Sequence, residues 1–248
     1  MSCREPEHSS RDTQLSPSGD HRLGVLGGSF NPLHNGHLTI ADLVCKRLRL
    51  DRVLFIPTGD PPHKPESGLA PASDRLAMVR LAIQGFPKFA VSEIEVLRAG
   101  KSYSIDTVRE LRRLHGPSVE LFSIIGLDAF LDFPNWKEPQ ALLQACRFVV
   151  VPRPGQSFRS LAQVSLLPNL DSKRLDQLDG GSLAELDIPV PMGPGIICLS
   201  LPPCSNSSSA IRQAIKTGAT LANQLPPPVE SYILHHRLYQ EDCYRTHV

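Results

Sequence analysis

The run Leu23-Gly24-Val25-Leu26-Gly27-Gly28-Ser29-Phe30-Asn31-Pro32-Leu33-His34-Asn35-Gly36-His37 decides how the rest of the chain is read. Its apolar start, Leu23 to Leu26, reads as a first strand, and Gly27-Gly28 lets the chain turn without a Cβ penalty. From Gly36 onward Leu38, Ala41, Val44 and Leu48 recur at helical spacing, with Lys46, Arg47 and Arg49 on the polar side. His34 and His37 therefore stand three positions apart where a glycine turn meets a helix N-terminus. Unpaired backbone N–H groups, the positive end of the helix dipole and imidazole donors converge there, which suits a polyphosphate. Glycines 27 and 28 let an anion approach the main chain, and Gly36 keeps any side chain from coming between the imidazoles and the phosphates. Taken alone, the pair also fits a tight turn with two incidental histidines, or a metal site.

Outward from this point, strands and helices alternate. Val53 to Ile56 is a second apolar run ending at Pro57, followed by a loop from Thr58 to Pro71 rich in proline and glycine. A helix is predicted after Ser73, which suits an N-cap, then short strands at Phe89 to Val91 and Ile94 to Leu97. Ser104 reads as the N-cap of a helix that carries Ile105, Val108, Leu111 and Leu114 on one face and stops at Gly116. Leu121 to Ile125 and Phe148 to Val151 are continuous β-rich runs, as expected of strands covered on both faces. The alternation predicts a doubly wound α/β fold, a mainly parallel sheet with helices on both faces that collects ligands beyond the carboxyl ends of its strands. From Pro152 to Gly195 the period fails, and this segment reads as a variable excursion. A strand at Ile196 to Leu199, a helix from about Ser208 to Thr217 and a last helix from near Pro227 through Leu234 complete a single domain over residues 21–248. Met1 to about Asp20 lacks apolar periodicity and is expected to be a disordered tail.

The 248 residues hold 26 basic and 25 acidic side chains, a formal charge of +1 that provides no global field for nucleic acid or an anionic membrane. No apolar run approaches the roughly 20 residues of a membrane span and the start of the chain has no signal-peptide core, so a cytoplasmic location is expected. The six cysteines are scattered, without a C-x-x-C pair or a zinc-like grouping with histidine, and read as reduced thiols. No protein-held metal is expected. A homo-oligomer is compatible with the sequence.

A second anion-directed feature lies near the end. Ser207-Ser208-Ser209-Ala210-Ile211-Arg212 places three hydroxyls and free N–H groups at a helix start with an arginine one turn inside. Alone, it reads more readily as an ordinary serine cap with a solvated arginine. Together the two segments resemble the paired signatures of the nucleotidyltransferase superfamily, G-x-F-x-P-x-H-x-G-H and I-S-S-T-x-I-R. The first is related in its histidine pair to the HIGH signature of class I aminoacyl-tRNA synthetases. Asn31 stands where many relatives have aspartate, Asn206 replaces an apolar residue and Ser209 a threonine. The resemblance implies a Rossmann-like fold in which Gly28, Ser29, Phe30 and Gly36, with Ser207, Ser208 and Ser209 opposite, bind ATP. It also implies that His34, His37 and Arg212 stabilise the charge that develops as pyrophosphate leaves.

Between the signatures, Pro61-Pro62-His63-Lys64, Lys101-Ser102-Tyr103-Ser104, Ile124-Ile125-Gly126-Leu127-Asp128, Phe133-Pro134-Asn135-Trp136 and Arg147 to Gly155 resemble, in order and spacing, the bacterial nicotinate mononucleotide adenylyltransferases. That resemblance implies a pyridine stacked on Trp136, the only tryptophan, and a nicotinate carboxylate read by backbone N–H groups around Tyr103 and Ser104. It further implies that Gly126 and Asp128 bind ATP, Asp128 accepting ribose hydroxyls, and that His63 and Lys64 meet the mononucleotide phosphate or close over the site. Each residue has a plainer role open to it: a core tryptophan, a helix-start aspartate, a solvated basic loop. The expected reaction transfers AMP from ATP to nicotinate mononucleotide in NAD biosynthesis, with Mg²⁺ carried mainly by ATP phosphates. Nicotinamide mononucleotide and phosphopantetheine are the alternative acceptors, and a non-catalytic nucleotide-sensing regulator is the alternative class.

Overall fold

The computed structural model describes residues 21–62, 68–167, 170–204 and 206–240. Four parallel strands form the centre: β1 (Arg22–Gly28), β2 (Arg52–Pro57), β4 (Glu120–Gly126) and β5 (Arg147–Val151). The short β3 (Phe89–Val91) extends the sheet parallel to β2, β7 (Ile196–Leu199) extends it parallel to β5, and β6 (Glu185–Ile188) runs antiparallel on the far edge. The order β3-β2-β1-β4-β5-β7-β6 makes the chain reverse direction across the sheet between β1 and β4. In an open α/β sheet that switch point leaves a crevice at the carboxyl ends of the two strands.

Alternation along each strand explains the two-sided core. Leu54 and Ile56 of β2 point to one face while Val53 and Phe55 point to the other, and Phe148 and Val150 of β5 oppose Val149 and Val151 in the same way. One face is covered by α3 (Ser104–His115), α5 (Pro139–Ala145) and α6 (Ser172–Asp179). The other is covered by α1 (Asn35–Arg47), α2 (Ala72–Ala82), α7 (Ser208–Thr217) and α8 (Pro227–His235). A one-turn helix, α4 (Leu127–Leu131), follows β4 directly. The doubly wound α/β fold is the one expected from the alternation.

Several local expectations change. Gly27 and Gly28 continue β1, paired with Ile56 and Pro57, and the turn falls later, around Asn31-Pro32. Helix α2 starts at Ala72 with Pro71 as its cap residue, so Ser73 is already helical; the fixed φ of proline sets the entry. Helix α3 likewise takes Tyr103 as its cap residue, with Ser104 its first helical position. Ile94 to Leu97 forms a turn instead of a strand, because Glu95 faces inward to Thr107 and Leu97 is left outside. The segment 152–195 is built into the domain: Phe158, Leu161, Leu175, Leu178, Leu186 and Ile188 are all buried, and β6 closes the sheet edge. The expected N-terminal tail lies outside the described residues.

Candidate active site

The chain leaving β1 bends over Ser29 to Pro32 and enters α1 at His34. Phe30 holds this bend, buried at 2% exposure with φ 44°, and its ring meets that of His37 edge-on at 5.2 Å. Asn31 is also buried: its amide donates to the Gly68 carbonyl at 2.8 Å and its Oδ1 accepts from the Ala70 N–H at 3.0 Å. A polar residue at 31 therefore ties the histidine turn to the chain ahead of α2. A Cβ on Gly27 would meet nothing within 4 Å, so the main chain there is open to an approaching anion.

The two imidazoles stack with centroids 3.7 Å apart, and Nδ1 of His37 accepts the main-chain N–H of His34 at 3.2 Å. His34 is buried and, among the described residues, its Nδ1 has no hydrogen-bond partner. Burial, reinforced by the Arg153 guanidinium, pulls the His34 pKa down to about 4, so the free site holds a neutral imidazole at pH 7. Gly36 is required by this packing, since a Cβ would lie 2.8 Å from Cys204 Sγ and 3.0 Å from His34 Nδ1. A cavity is lined here by both histidines with Gly36, Arg153, Cys204 and Asn206.

The serine–arginine segment docks directly on the histidine turn. Ser208 Oγ donates to the Pro32 carbonyl at 3.0 Å, and Arg212 Nη1 donates to the Asn31 carbonyl at 2.7 Å. Ser207 and Ser209 hydroxyls bond each other at 2.8 Å, and the cap residue Ser207 makes no side-chain bond to the first turn of α7. Two helix starts separated by some 170 residues of chain thus converge, each with a positive dipole end.

On the β4 side, Asp128 at the start of α4 faces Arg153 from the end of β5, Oδ2 to Nη1 3.5 Å, with both side chains substantially exposed. Gly126 accommodates this aspartate: a Cβ there would sit 2.5 Å from Asp128 Oδ1. Tyr103 and Trp136 pack half-buried on the core of the opposite sheet face, Trp136 against Phe133 at 5.6 Å. Lys137 joins them, its Nζ 4.6 Å from the Tyr103 ring centroid and 3.0 Å from Asp106. The first turn of α3 beside Tyr103 and Ser104 also lacks a capping side chain. His63 and Lys64 lie outside the described residues.

The structure thus joins the motif residues into two groups flanking the switch point, one on each face of the sheet. Three contributors were missed by the sequence reading. Arg153 lay inside the noted Arg147 to Gly155 fragment, but its approach to His34 depends on β4 and β5 being neighbours. Lys137 follows Trp136 without a pattern to mark it. Arg75 had a usable signal: it interrupts an apolar face with Met78, Val79 and Ala82 at helical spacing, yet is only 1% exposed.

Two helix starts meet at the switch point of a doubly wound sheet, and residues 25–214 match the family described as Cytidylyltransferase-like, which makes the chain a nucleotidyltransferase. The chain is 45% identical over 228 residues to a "Probable nicotinate-nucleotide adenylyltransferase" of Geobacter metallireducens, an alignment covering 89% of this chain and 99% of that protein. It is 38% identical over 218 residues to a protein of the same description from Synechococcus sp. (strain JA-3-3Ab), covering 88% and 94%. The chain belongs to the nicotinate-nucleotide adenylyltransferase family. Its fold is shared with the Plasmodium falciparum nicotinic acid mononucleotide adenylyltransferase complexed with NaAD, at TM-score 0.65 and 17% identity over 88% of this chain and 97% of that one.

Proposed function

We propose that this chain transfers the AMP part of ATP to nicotinate mononucleotide, releasing pyrophosphate and forming nicotinate adenine dinucleotide in NAD biosynthesis. The observation that carries the reading is the docking of α7 on the histidine turn through Ser208–Pro32 and Arg212–Asn31, which brings the start of α7 against the turn that opens α1. A triphosphate seated there meets backbone N–H groups at Gly28, Ser29, Phe30 and Gly36 on one side and the Ser207–Ser209 turn on the other. A phosphate oxygen of the acceptor attacks the α-phosphorus in line, and the bond to pyrophosphate breaks. The acceptor phosphate is already anionic, so no protein nucleophile is needed. His34, His37 and Arg212 act by placing donors where charge collects on the leaving pyrophosphate.

Among the described residues no three histidine, cysteine or carboxylate groups could hold a metal ion together. Such a donor set fits Mg²⁺ carried by ATP oxygens and water, where it would screen phosphate charge. The acid is favoured over the amide because the backbone N–H groups beside Tyr103 and Ser104, where the cap residue makes no side-chain bond, would donate to both oxygens of a carboxylate and to one of a carboxamide. Trp136 would stack the pyridine, and Asp128, released from Arg153, would accept ribose hydroxyls. Among the described residues no helix is long and apolar enough to cross a membrane, and we place the enzyme in the cytoplasm.

Parallel incubations with ATP, Mg²⁺ and either nicotinate mononucleotide, nicotinamide mononucleotide or phosphopantetheine, followed by pyrophosphate release, test the reading. Fastest release is expected with the acid. Release with phosphopantetheine alone overturns the acceptor, and release with none favours a nucleotide-sensing role.

A further inference from the structure

Among the described residues Arg75 is the largest fully buried side chain, and no carboxylate pairs with it. Its guanidinium donates instead to four main-chain carbonyls: Ser29 at 2.8 Å, Thr58 at 2.7 Å, Gly59 at 3.1 Å and Ala70 at 2.9 Å. Ser29 belongs to the histidine turn, Thr58 and Gly59 to the chain leaving β2, and Ala70 to the entry of α2. One planar fork with fixed donor directions thus registers three segments against each other, which a single ammonium cannot do.

The 58–60 segment is gripped from its other side as well. Ser102 Oγ accepts from the N–H groups of Gly59 at 3.2 Å and Asp60 at 3.3 Å, Ser102 N–H donates to the Asp60 carbonyl at 2.9 Å, and Lys101 pairs with Asp60 at 2.7 Å. Gly59 sits so close to Glu95 that a Cβ would be 2.2 Å from its carbonyl oxygen, so the contact has no slack. Ser102 leads straight into Tyr103 and the uncapped start of α3. A continuous chain of short polar contacts therefore runs from the Ser29 carbonyl through Arg75, 58–60 and Ser102 to the donors beside the pyridine.

We infer that Arg75 is a positioning residue that sets acceptor preference, by fixing the first turn of α3 relative to the histidine turn. The inference rests on the reading of that turn as the carboxylate site. A displacement of about 1 Å at such donors is enough to change turnover by about a hundredfold. It should hurt the acid more than the amide, because only the acid uses every donor.

The test compares kcat/KM for nicotinate and nicotinamide mononucleotides in wild type, Arg75→Lys and Ser102→Ala, each checked for folding by circular dichroism and thermal unfolding. The ratio of acid to amide is expected to fall about tenfold or more in Arg75→Lys, with KM for the mononucleotide rising more than KM for ATP. Ser102→Ala, which loosens the same segment without touching the buried charge, is expected to lower the ratio in the same direction. It decides the matter if Arg75→Lys does not fold. If both acceptors fall by one common factor and the ratio is unchanged, Arg75 serves only packing and the inference is wrong. If wild type itself makes no dinucleotide from the acid, the proposed function fails first and the inference falls with it.

Discussion

The ring of His34 lies stacked on that of His37, 3.7 Å between centroids, while the His34 main-chain N–H donates to His37 Nδ1. With Nδ1 accepting, a neutral His37 ring carries its proton on Nε2. The pair is thus held together by the same turn that opens α1.

His37→Ala removes one imidazole of the pair. Turnover is expected to fall by about 10² or more, the scale of losing a transition-state donor. Steady-state kinetics on a variant with unchanged circular dichroism checks this, and near wild-type turnover contradicts it.

His34 makes stability depend on pH. Its pKa is 6.5 when free and about 4 in the fold, so below 6.5 the unfolded chain takes up a proton that the native chain refuses. This contribution is complete above pH 6.5 and is lost as pH falls toward 4, an amount on the order of 3 kcal/mol. Urea midpoints of His34→Gln measured from pH 7.5 to 4.5 should slope less than those of wild type; parallel slopes contradict the assignment. Binding of the ATP polyanion favours protonated His34, so calorimetry at pH 5.5 in buffers of different ionisation enthalpy should show proton uptake that is absent at pH 8.

Gly36→Ala forces a Cβ to within 2.8 Å of Cys204 Sγ and 3.0 Å of His34 Nδ1. Overpacking of this kind costs about 1–3 kcal/mol, and the displaced His34 ring should lower kcat/KM for ATP about tenfold. Adding Cys204→Ala relieves the sulfur contact only. The double variant is expected to regain stability without regaining turnover; full recovery of both would show that the imidazole contact is unimportant.

Asn31→Ala deletes the bonds to Gly68 and Ala70 and leaves the buried Ala70 N–H unpaired. A loss of about 1–3 kcal/mol is expected from denaturant unfolding. An unchanged midpoint would mean that water replaces both partners.

How much of this was legible in the sequence follows from which interactions are local. Strands β1, β2, β4, β5 and β7 and helices α1, α7 and α8 follow the apolar period to within about two residues, because burial on a two-faced sheet imposes it. Ile94 to Leu97 misled because its apolar residues resemble a strand, while the deciding feature is the inward turn of Glu95 toward Thr107. Segment 152–195 hid its buried residues in short elements broken by prolines, and β6 pairs only through the later strand β7. The histidine and serine–arginine motifs could each be read alone; their docking could not, since the acceptors are the carbonyls of Asn31 and Pro32. Arg75 is hidden for the same reason, as all four of its partners are main-chain atoms that every residue type carries.

The most direct test of the central claim follows the label. With ATP labelled at the α-phosphorus and unlabelled nicotinate mononucleotide, the label should appear in the dinucleotide, with one pyrophosphate released for each dinucleotide formed. Label recovered as free AMP, or pyrophosphate release independent of the acceptor, would mean that the site hydrolyses ATP and would contradict AMP transfer.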